Sequence, residues 1–178
     1  MDLIITQLRE LEKKSIERGI PIIGSEKGAW LLGKVKEVKP QKILELGTAN
    51  GYSGTILGSE NGKLVTVEMD EKIAEEAAIT FSKFNINAEI LVGDGVEIVK
   101  ELADNKELFD MIFIDFSKKN YLKVLDNCIK LVKENGLIIA DNISFENCQD
   151  FKEAVLDNME LETEIINIKD GLSCSKKK

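Results

Sequence analysis

KILELGTANGYS, residues 42–53, carries the clearest structural signal in this sequence. It begins with a short apolar run that contains a carboxylate, Glu45, and continues into a loop with glycines at positions 47 and 51. Glycine lets the backbone turn tightly and lets a ligand approach it closely. The stretch therefore predicts a buried strand that leads into a ligand-binding loop and then a helix.

Further apolar runs follow this first one along the chain. They are LVTVE (64–68), AEILVG (88–93), MIFID (111–115) and LIIAD (137–141). The segments between them have helical patterns, near 70–84, 95–104, 118–133 and 146–157. Strands that alternate with helices predict a parallel sheet, and continuously apolar strands predict a sheet covered on both faces.

The last part of the chain has a different pattern. LETEIINIKDGLSCS (161–175) reads as two strands joined by a turn at Asp170–Gly171. We therefore predict one α/β domain over residues 1–178, with a mostly parallel sheet, helices on both faces and a C-terminal antiparallel hairpin at the edge.

The segment before the first strand is predicted to be helical. Apolar residues recur at helical spacing over about 2–18, and Pro21 would end that helix. Ser25 is predicted to be the N-cap of a second helix. Residues 1–20 are thus assigned to an N-terminal helix and 21–178 to the core.

Composition excludes several classes of function. The chain contains no histidine, which removes Ser–His and Cys–His catalysis and every zinc site that needs histidine. Its three cysteines lie far apart, which argues against disulfides and against a zinc cluster. A net charge of -8 repels phosphate backbones, so nucleic acid is a disfavoured partner.

We also expect a protein of the cytoplasm that makes no membrane contact. The first residues contain charged side chains throughout and do not resemble a signal peptide. No apolar stretch has the roughly 18 residues that a transmembrane helix requires.

The first loop indicates which kind of cofactor would fit. Glu68 follows Gly47 by 21 residues (68 − 47), the usual distance for an acid that holds ribose hydroxyls. A dinucleotide-binding loop would have glycines where this chain has Ala49 and Tyr52. Glu45 would repel a pyrophosphate but would suit S-adenosylmethionine, which carries an ammonium and a sulfonium. The alternative is a strand–turn–helix corner that binds nothing.

The sequence resembles a known family at several points. ILELGTANGYS (43–53) resembles the first motif of class I S-adenosylmethionine-dependent methyltransferases, and more narrowly of the cation-dependent O-methyltransferases related to catechol and caffeoyl-CoA O-methyltransferases. VTVEMD (65–70), FIDFSKKNY (113–121) and IADNI (139–143) match in the same order. The resemblance implies a Rossmann-like fold, S-adenosylmethionine as cofactor, and methyl transfer to a hydroxyl group.

The resemblance also implies the site residues. Those expected to bind the cofactor are Glu45, Gly47, Thr48, Ala49, Gly51, Ser53, Glu68, Asp94 and Asp115. Among them, Glu68 would bind the ribose and Asp94 would lie near the adenine. Asp115, Asp141 and Asn142 would coordinate a divalent cation, usually magnesium. Lys118 corresponds to the general base of the family.

The chemistry of these residue types agrees with that assignment. Two carboxylates and an amide are hard oxygen ligands of the kind that Mg²⁺ prefers. A cation there could bind the oxygens of an acceptor and lower the pKa of its hydroxyl. Two alternatives stay open: Asp141–Asn142 could be an ordinary turn, and Lys118 could be a solvated lysine.

The sequence departs from the family on the acceptor side. Phe116 and Ser117 stand where relatives have a small residue and an acid, and the segment after Asn142 is short. A small hydroxylated molecule is the expected acceptor, and the resemblance allows a homodimer. Competing hypotheses are a methyltransferase of hydroxyuridine in tRNA, a non-catalytic S-adenosylmethionine-binding protein, and an NAD-linked oxidoreductase.

Overall fold

The structure, a computed structural model, describes residues 3–178. A single sheet of seven strands has the order β3-β2-β1-β4-β5-β7-β6. The strands are β1 (Lys42–Leu46), β2 (Lys63–Glu68), β3 (Ala88–Val92), β4 (Phe109–Ile114), β5 (Val132–Asp141), β6 (Leu161–Ile166) and β7 (Leu172–Lys177). The first five are parallel, as the continuous apolar runs predicted.

Eight α-helices accompany the strands in the described part of the chain. They are α1 (Leu3–Gln7), α2 (Arg9–Glu17), α3 (Gly24–Val38), α4 (Tyr52–Leu57), α5 (Glu71–Lys83), α6 (Gly95–Asp104), α7 (Tyr121–Leu131) and α8 (Gln149–Asp157). Short 3-10 turns cover Gly58–Glu60, Lys118–Asn120 and Glu146–Cys148. No helix within residues 3–178 is long and apolar enough to cross a membrane.

Two hydrophobic cores lie on opposite faces of the sheet. Side chains of α1, α3, α4 and α5 pack with Ile43, Met111 and Phe113 on one face. Side chains of α6, α7 and α8 pack with Leu44 and Ile112 on the other face. This arrangement confirms the predicted α/β fold class, with helices on both faces of the sheet.

The edge strand β3 is less covered than its sequence predicted. Val92 is 52% exposed, and no residue of β3 is fully buried. Because β3 pairs with β2 alone, it lies beyond the middle of the helical layers. An apolar run therefore does not guarantee burial at the edge of a sheet.

The C-terminal hairpin is confirmed. β7 pairs antiparallel with both β5 and β6, so β6 forms the outer edge. The amide of Gly171 donates to the carbonyl of Ile168 at 2.9 Å, and Gly171 has a positive φ of 78°. The turn sits directly beside the end of β5, where Asp141 pairs with Leu172.

The N-terminal region differs from its prediction in two ways. The predicted helix over 2–18 is divided at Leu8 into α1 and α2, and its first residue lies outside the described residues. Ser25 is not an N-cap, because α3 already begins at Gly24. The Ser25 amide instead donates to Glu12 Oε1 at 2.9 Å, so a carboxylate of α2 accepts the hydrogen bond of a backbone amide in the first turn of α3.

Candidate active site

A cavity of about 290 Å³ opens at the carboxyl ends of β1 to β4. The sheet order reverses between β1 and β4, and loops that leave neighbouring strands in opposite directions create a crevice at such a point. The predicted site residues that line this cavity are Gly47, Thr48, Ala49, Ser53, Glu68, Asp94, Asp115 and Lys118.

The loop after β1 runs along the floor of the cavity. Gly47 has a φ of 100°, which an L side chain rarely adopts, and Ala49 has a φ of 45°. The amides of Gly47 and Thr48 both donate to the carbonyl of Val67, at 3.0 and 3.1 Å. These contacts tie the loop to β2 and hold its backbone at the cavity surface.

Glu68, at the end of β2, holds the same loop from the side. Its Oε2 accepts from the Ala49 amide at 2.9 Å, and its Oε1 accepts from the Met69 and Asp70 amides at 2.9 and 3.1 Å. A phosphate that approached this loop would meet the fixed carboxylate charge. These three hydrogen bonds fix the carboxylate of Glu68 at the position where an acid can accept hydrogen bonds from ribose hydroxyls.

Asp94 follows β3 and caps α6. Its Oδ1 accepts from the Val96 amide at 2.7 Å and from the Glu97 amide at 3.3 Å. Because one carboxylate oxygen is used in the cap, the other is available at the cavity, where it has no hydrogen-bond partner among residues 3–178.

Two predicted cofactor residues, Glu45 and Gly51, do not line the cavity. Glu45 is fully buried beneath the loop, where it accepts hydrogen bonds from Ser53 Oγ and Thr66 Oγ1, each at 2.6 Å. Gly51 starts α4 with a φ of 87°. Glu45 thus contacts the cavity lining indirectly, through Ser53 and through Thr66, whose hydroxyl lies 2.6 Å from that of Thr48. Gly51 shapes only the path of the backbone.

The burial of Glu45 also changes the electrostatic argument made from the sequence. Burial raises the pKa of Glu45 to about 8, against the hydrogen bonds from Ser53 and Thr66, and the charges of Asp115 and Glu68 add to the rise. At neutral pH this carboxyl is therefore largely protonated. The negative charge beside the cavity comes instead from Glu68, Asp94 and Asp115.

Asp115 and Lys118 form an ion pair on the opposite wall of the cavity. Lys118 Nζ lies 2.7 Å from Asp115 Oδ1, and both side chains are largely buried. The ring of Tyr121 lies below the lysine, with its centroid 5.5 Å from Nζ. The Tyr121 hydroxyl donates to the carbonyl of Ile114 at 3.1 Å, which fixes the ring at the end of β4.

Asp141 and Asn142 lie in an adjoining cavity of about 260 Å³, together with Lys27 and Asp170. Burial, reinforced by the charge of Asp115, raises the pKa of Asp141 to about 6, while the contact with Lys27 opposes that rise. Ile114 of β4 pairs with Ala140 of β5, so the two predicted aspartate ligands, one position further along each chain segment, stand at neighbouring strand ends.

The chemistry of this donor set fits a hard divalent cation. The hydrogen bonds of the described chain occupy Asp115 Oδ1, Asp141 Oδ1 and the Asn142 amide nitrogen. They leave Asp115 Oδ2, Asp141 Oδ2 and Asn142 Oδ1 without a partner in residues 3–178. A cation that takes about six oxygen ligands would need the rest from water or an acceptor.

Acidic side chains alone do not provide enough ligands for the predicted cation site. Residues 3–178 contain no group of three or more histidine, cysteine, aspartate or glutamate side chains that could hold a metal ion. The amide of Asn142 is therefore essential to the predicted set of ligands, and magnesium binding stays a prediction.

Sequence reasoning missed Lys27 and Asp170. Lys27 lies one helical turn before Leu31 on the buried face of α3, and a lysine on an apolar helical face was the available signal. Asp170 was interpreted only as a turn residue. Met69 and Pro21 also line the larger cavity without having been predicted.

Comparison with known proteins identifies the family. A sequence model described as O-methyltransferase matches residues 2–178. The chain belongs to this O-methyltransferase family. Membership agrees with the order of the four motifs and with the cavity at the carboxyl ends of β1 to β4.

Curated relatives of the family are similar over most of this chain. A catechol O-methyltransferase from Niastella koreensis is 31% identical over 135 residues, which cover 71% of this chain and 61% of the relative. A caffeoyl-CoA O-methyltransferase from Stellaria longipes is 30% identical over 145 residues, which cover 76% of this chain and 60% of the relative. The chain thus spans less than two thirds of the length of these relatives.

Solved structures of O-methyltransferases share the fold. An O-methyltransferase from Bacillus cereus, in complex with SAH, superimposes with a TM-score of 0.87 at 23% identity and covers 100% of this chain and 92% of its own. The O-methyltransferase TomG from Streptomyces achromogenes, in complex with SAM, gives 0.86 at 21% identity, with coverages of 99% and 90%. The Rossmann-like fold predicted from the sequence is confirmed.

Proposed function

We propose that this chain is an S-adenosylmethionine-dependent O-methyltransferase that transfers a methyl group to a hydroxyl of a small molecule, assisted by a divalent cation, magnesium by preference. One observation carries the proposal. A single cavity brings Glu68, Asp94 and the loop after β1 together with Asp115 and Lys118. The first group suits a cationic nucleoside, and the second suits the hydroxyl that reacts with it.

The cofactor half of the cavity would bind by charge and by backbone contact. Glu68 offers a fixed carboxylate for ribose hydroxyls, and Asp94 offers its free oxygen near the adenine. Asp115 and the loop around Gly47 would bind the ammonium end. S-adenosylmethionine supplies a methyl group bonded to a positively charged sulfur, so an acidic wall lowers the free energy of its complex.

The acceptor half would position the hydroxyl and remove its proton. The acceptor oxygen forms a bond to the methyl carbon while the carbon–sulfur bond breaks and its electron pair stays on sulfur. The amine of Lys118 would take the hydroxyl proton, and the resulting ammonium would be balanced by Asp115, whose Oδ1 lies 2.7 Å from Lys118 Nζ. In-line placement of oxygen and methyl provides much of the rate by proximity.

Asp115, Asp141 and Asn142 would hold the divalent cation with their three free oxygens. When bound, the cation supplies Lewis acidity that lowers the pKa of the acceptor hydroxyl and fixes its orientation. The buried side of this set is provided by Asp141, which is 2% exposed. The side toward the larger cavity is provided by Asp115.

The acidity of the chain supports a small acceptor over a nucleic acid. A net charge of -8 opposes phosphate contacts at long range. Hydroxyuridine in tRNA is therefore the less favoured acceptor. A homodimer and a cytoplasmic location stay predictions.

Binding and turnover test the proposal separately. Calorimetry with S-adenosylmethionine, its demethylated product and NAD should show affinity for the first two alone. Turnover on a panel of catechols, hydroxylated nucleosides and tRNA should need Mg²⁺ and stop with EDTA. Absence of any affinity for S-adenosylmethionine would refute the proposal, whereas affinity without turnover on the panel would favour a non-catalytic binding protein.

The Asp141→Ala variant tests the cation directly. It should retain affinity for the demethylated product, because Asp141 does not line the larger cavity. Its turnover should fall together with its response to Mg²⁺. Turnover equal to that of the unmodified protein would show that no cation held by Asp141 takes part.

A further inference from the structure

Lys27 is the most deeply buried charged amine near the proposed site. It projects from α3, and its side chain is only 2% exposed. Its Nζ donates to Asp141 Oδ1 at the end of β5 and to Asp170 Oδ1 in the turn before β7. One helix, one strand and the C-terminal hairpin are thus joined through a single ammonium group.

The second oxygen of Asp170 fixes Asn142. Asp170 Oδ2 accepts from the Asn142 side-chain amide nitrogen, and the Asn142 backbone amide donates to Asp141 Oδ1 at 2.7 Å. An amide whose nitrogen is held on one side must direct its oxygen to the other side. Asn142 also has a φ of 58°, a backbone conformation that needs support from its surroundings.

The network leaves each proposed ligand with one free oxygen. Lys27 and the Asn142 backbone both use Asp141 Oδ1, which leaves Oδ2 without a partner in the described chain. The side-chain nitrogen of Asn142 donates to Asp170, which leaves Asn142 Oδ1 free. Each side chain keeps free an atom that a hard cation can bind.

Stability alone does not explain so many buried charges. Withdrawing an ammonium and a carboxylate from water costs free energy that their attraction often fails to recover, and apolar packing usually serves a core as well or better. Outer contacts that orient ligand side chains are, in contrast, a general feature of metal sites.

We infer that Lys27 and Asp170 are positioning residues that hold Asp141 and Asn142 in the orientation that binds a divalent cation. Neither residue touches the cation or the acceptor; Lys27 fixes the aspartate and Asp170 fixes the amide. The inference rests on the proposed function, since it concerns the cation of that reaction.

Two substitutions of Asp170 separate orientation from charge. Asp170→Asn keeps the shape but can present a donor to the nitrogen of Asn142, which favours a flipped amide. Asp170→Glu keeps the charge and moves the carboxylate by one methylene group. Glu26→Gln is the matched control, because it removes one acidic charge beside Lys27 at an exposed position.

The readout is Mn²⁺ affinity, measured by electron paramagnetic resonance of free Mn²⁺ in the presence of the demethylated cofactor product. We expect Asp170→Asn and Asp170→Glu to weaken Mn²⁺ binding by about tenfold or more. Their affinity for the cofactor product should stay unchanged, which also shows that they fold. Glu26→Gln should bind Mn²⁺ as the unmodified protein does.

The outcomes separate this inference from the proposed function. Normal Mn²⁺ affinity in both Asp170 variants would overturn the inference and leave the proposed function standing. A loss in Glu26→Gln as large as in Asp170→Glu would also overturn it, because general charge would then explain the effect. An unmodified protein that binds the cofactor product but no Mn²⁺ would overturn it as well, and failure to bind either would refute the proposed function.

Discussion

Gly47 lies directly against the backbone of Asp115. A β-carbon at Gly47 would be 2.0 Å from the Asp115 carbonyl oxygen and 2.7 Å from the carbonyl carbon. Backbone atoms at the centre of a sheet cannot move aside as a flexible side chain can. The first loop of the cavity and the strand end that carries Asp115 are therefore in contact because position 47 has no side chain.

Gly47→Ala should damage both folding and binding. The positive φ alone should cost roughly 1–3 kcal/mol of unfolding free energy, and the contact with Asp115 adds to it. Affinity for S-adenosylhomocysteine should fall with it, because the loop lines the cavity. Denaturant unfolding and calorimetry would measure the two effects.

Gly33→Ala is the matched control for that change. Gly33 lies within α3, and its added β-carbon would meet nothing within 4 Å. It should leave binding unchanged and stabilise the protein by up to ~1 kcal/mol. Equal behaviour of the two variants would contradict the close contact at Gly47.

Lys118→Met should slow methyl transfer without weakening cofactor binding. Loss of a proton acceptor should lower kcat by about 10²–10⁴-fold on any accepted substrate. Lys119→Met is the control, because the neighbouring lysine is exposed and does not line the cavity. Steady-state kinetics would compare them, and equal rates would remove Lys118 from the mechanism.

Glu68→Gln should weaken cofactor binding. The carboxylate accepts three backbone hydrogen bonds, and the amide nitrogen of glutamine cannot accept those that would face it. With the charge also lost, affinity for S-adenosylhomocysteine should fall by about 1.5–3 kcal/mol, or roughly ten- to hundredfold. Calorimetry with the exposed Glu71→Gln variant as control would show whether position 68 is responsible.

The buried carboxyl of Glu45 should make stability depend on pH. Its pKa of about 8 in the folded protein exceeds the ordinary value of 4.5, so folding favours the protonated form. The contribution of protonated Glu45 to the free energy of unfolding is complete below pH 4.5. It disappears as the pH rises to about 8, and the free energy of unfolding falls by up to ~1.4 kcal/mol per pH unit over that range. Above that range both states are ionised and the slope vanishes.

Glu45→Gln removes this dependence while keeping a polar group for Ser53 and Thr66. As the pH rises from 5 to 8, the unmodified protein should therefore lose unfolding free energy relative to the variant. Urea unfolding across that range would measure it. Parallel stability curves would mean that Glu45 is ionised in the folded protein.

Much of the fold was predictable because its signals are local. Each parallel strand contains one apolar run, although β5 begins five residues before its run, and the turn at Asp170–Gly171 lies between two short strands. The rim of the cavity followed from the same signals, since Glu68, Asp94 and Asp115 stand at or just after strand ends. Those inferences needed only the rule that ligands bind at the carboxyl ends of parallel strands.

The contacts around Lys27 could not be predicted in this way. Lys27 meets Asp141 across 114 positions of the chain and Asp170 across 143 positions. Such contacts depend on how α3 docks against the end of β5 and the hairpin turn. The protonation of Glu45 was hidden for a similar reason, because burial depends on the covering helices and not on the run that contains the residue.

The position of β7 has a consequence for synthesis on the ribosome. β7 follows β6 in the chain, yet it lies between β5 and β6 in the sheet. Until β7 has emerged, β6 has no neighbour to pair with, and β5 presents an unpaired edge of the kind that promotes aggregation. The nascent chain can assemble its first five strands early, but Lys27 obtains its contact with Asp170 only after the hairpin turn has been made.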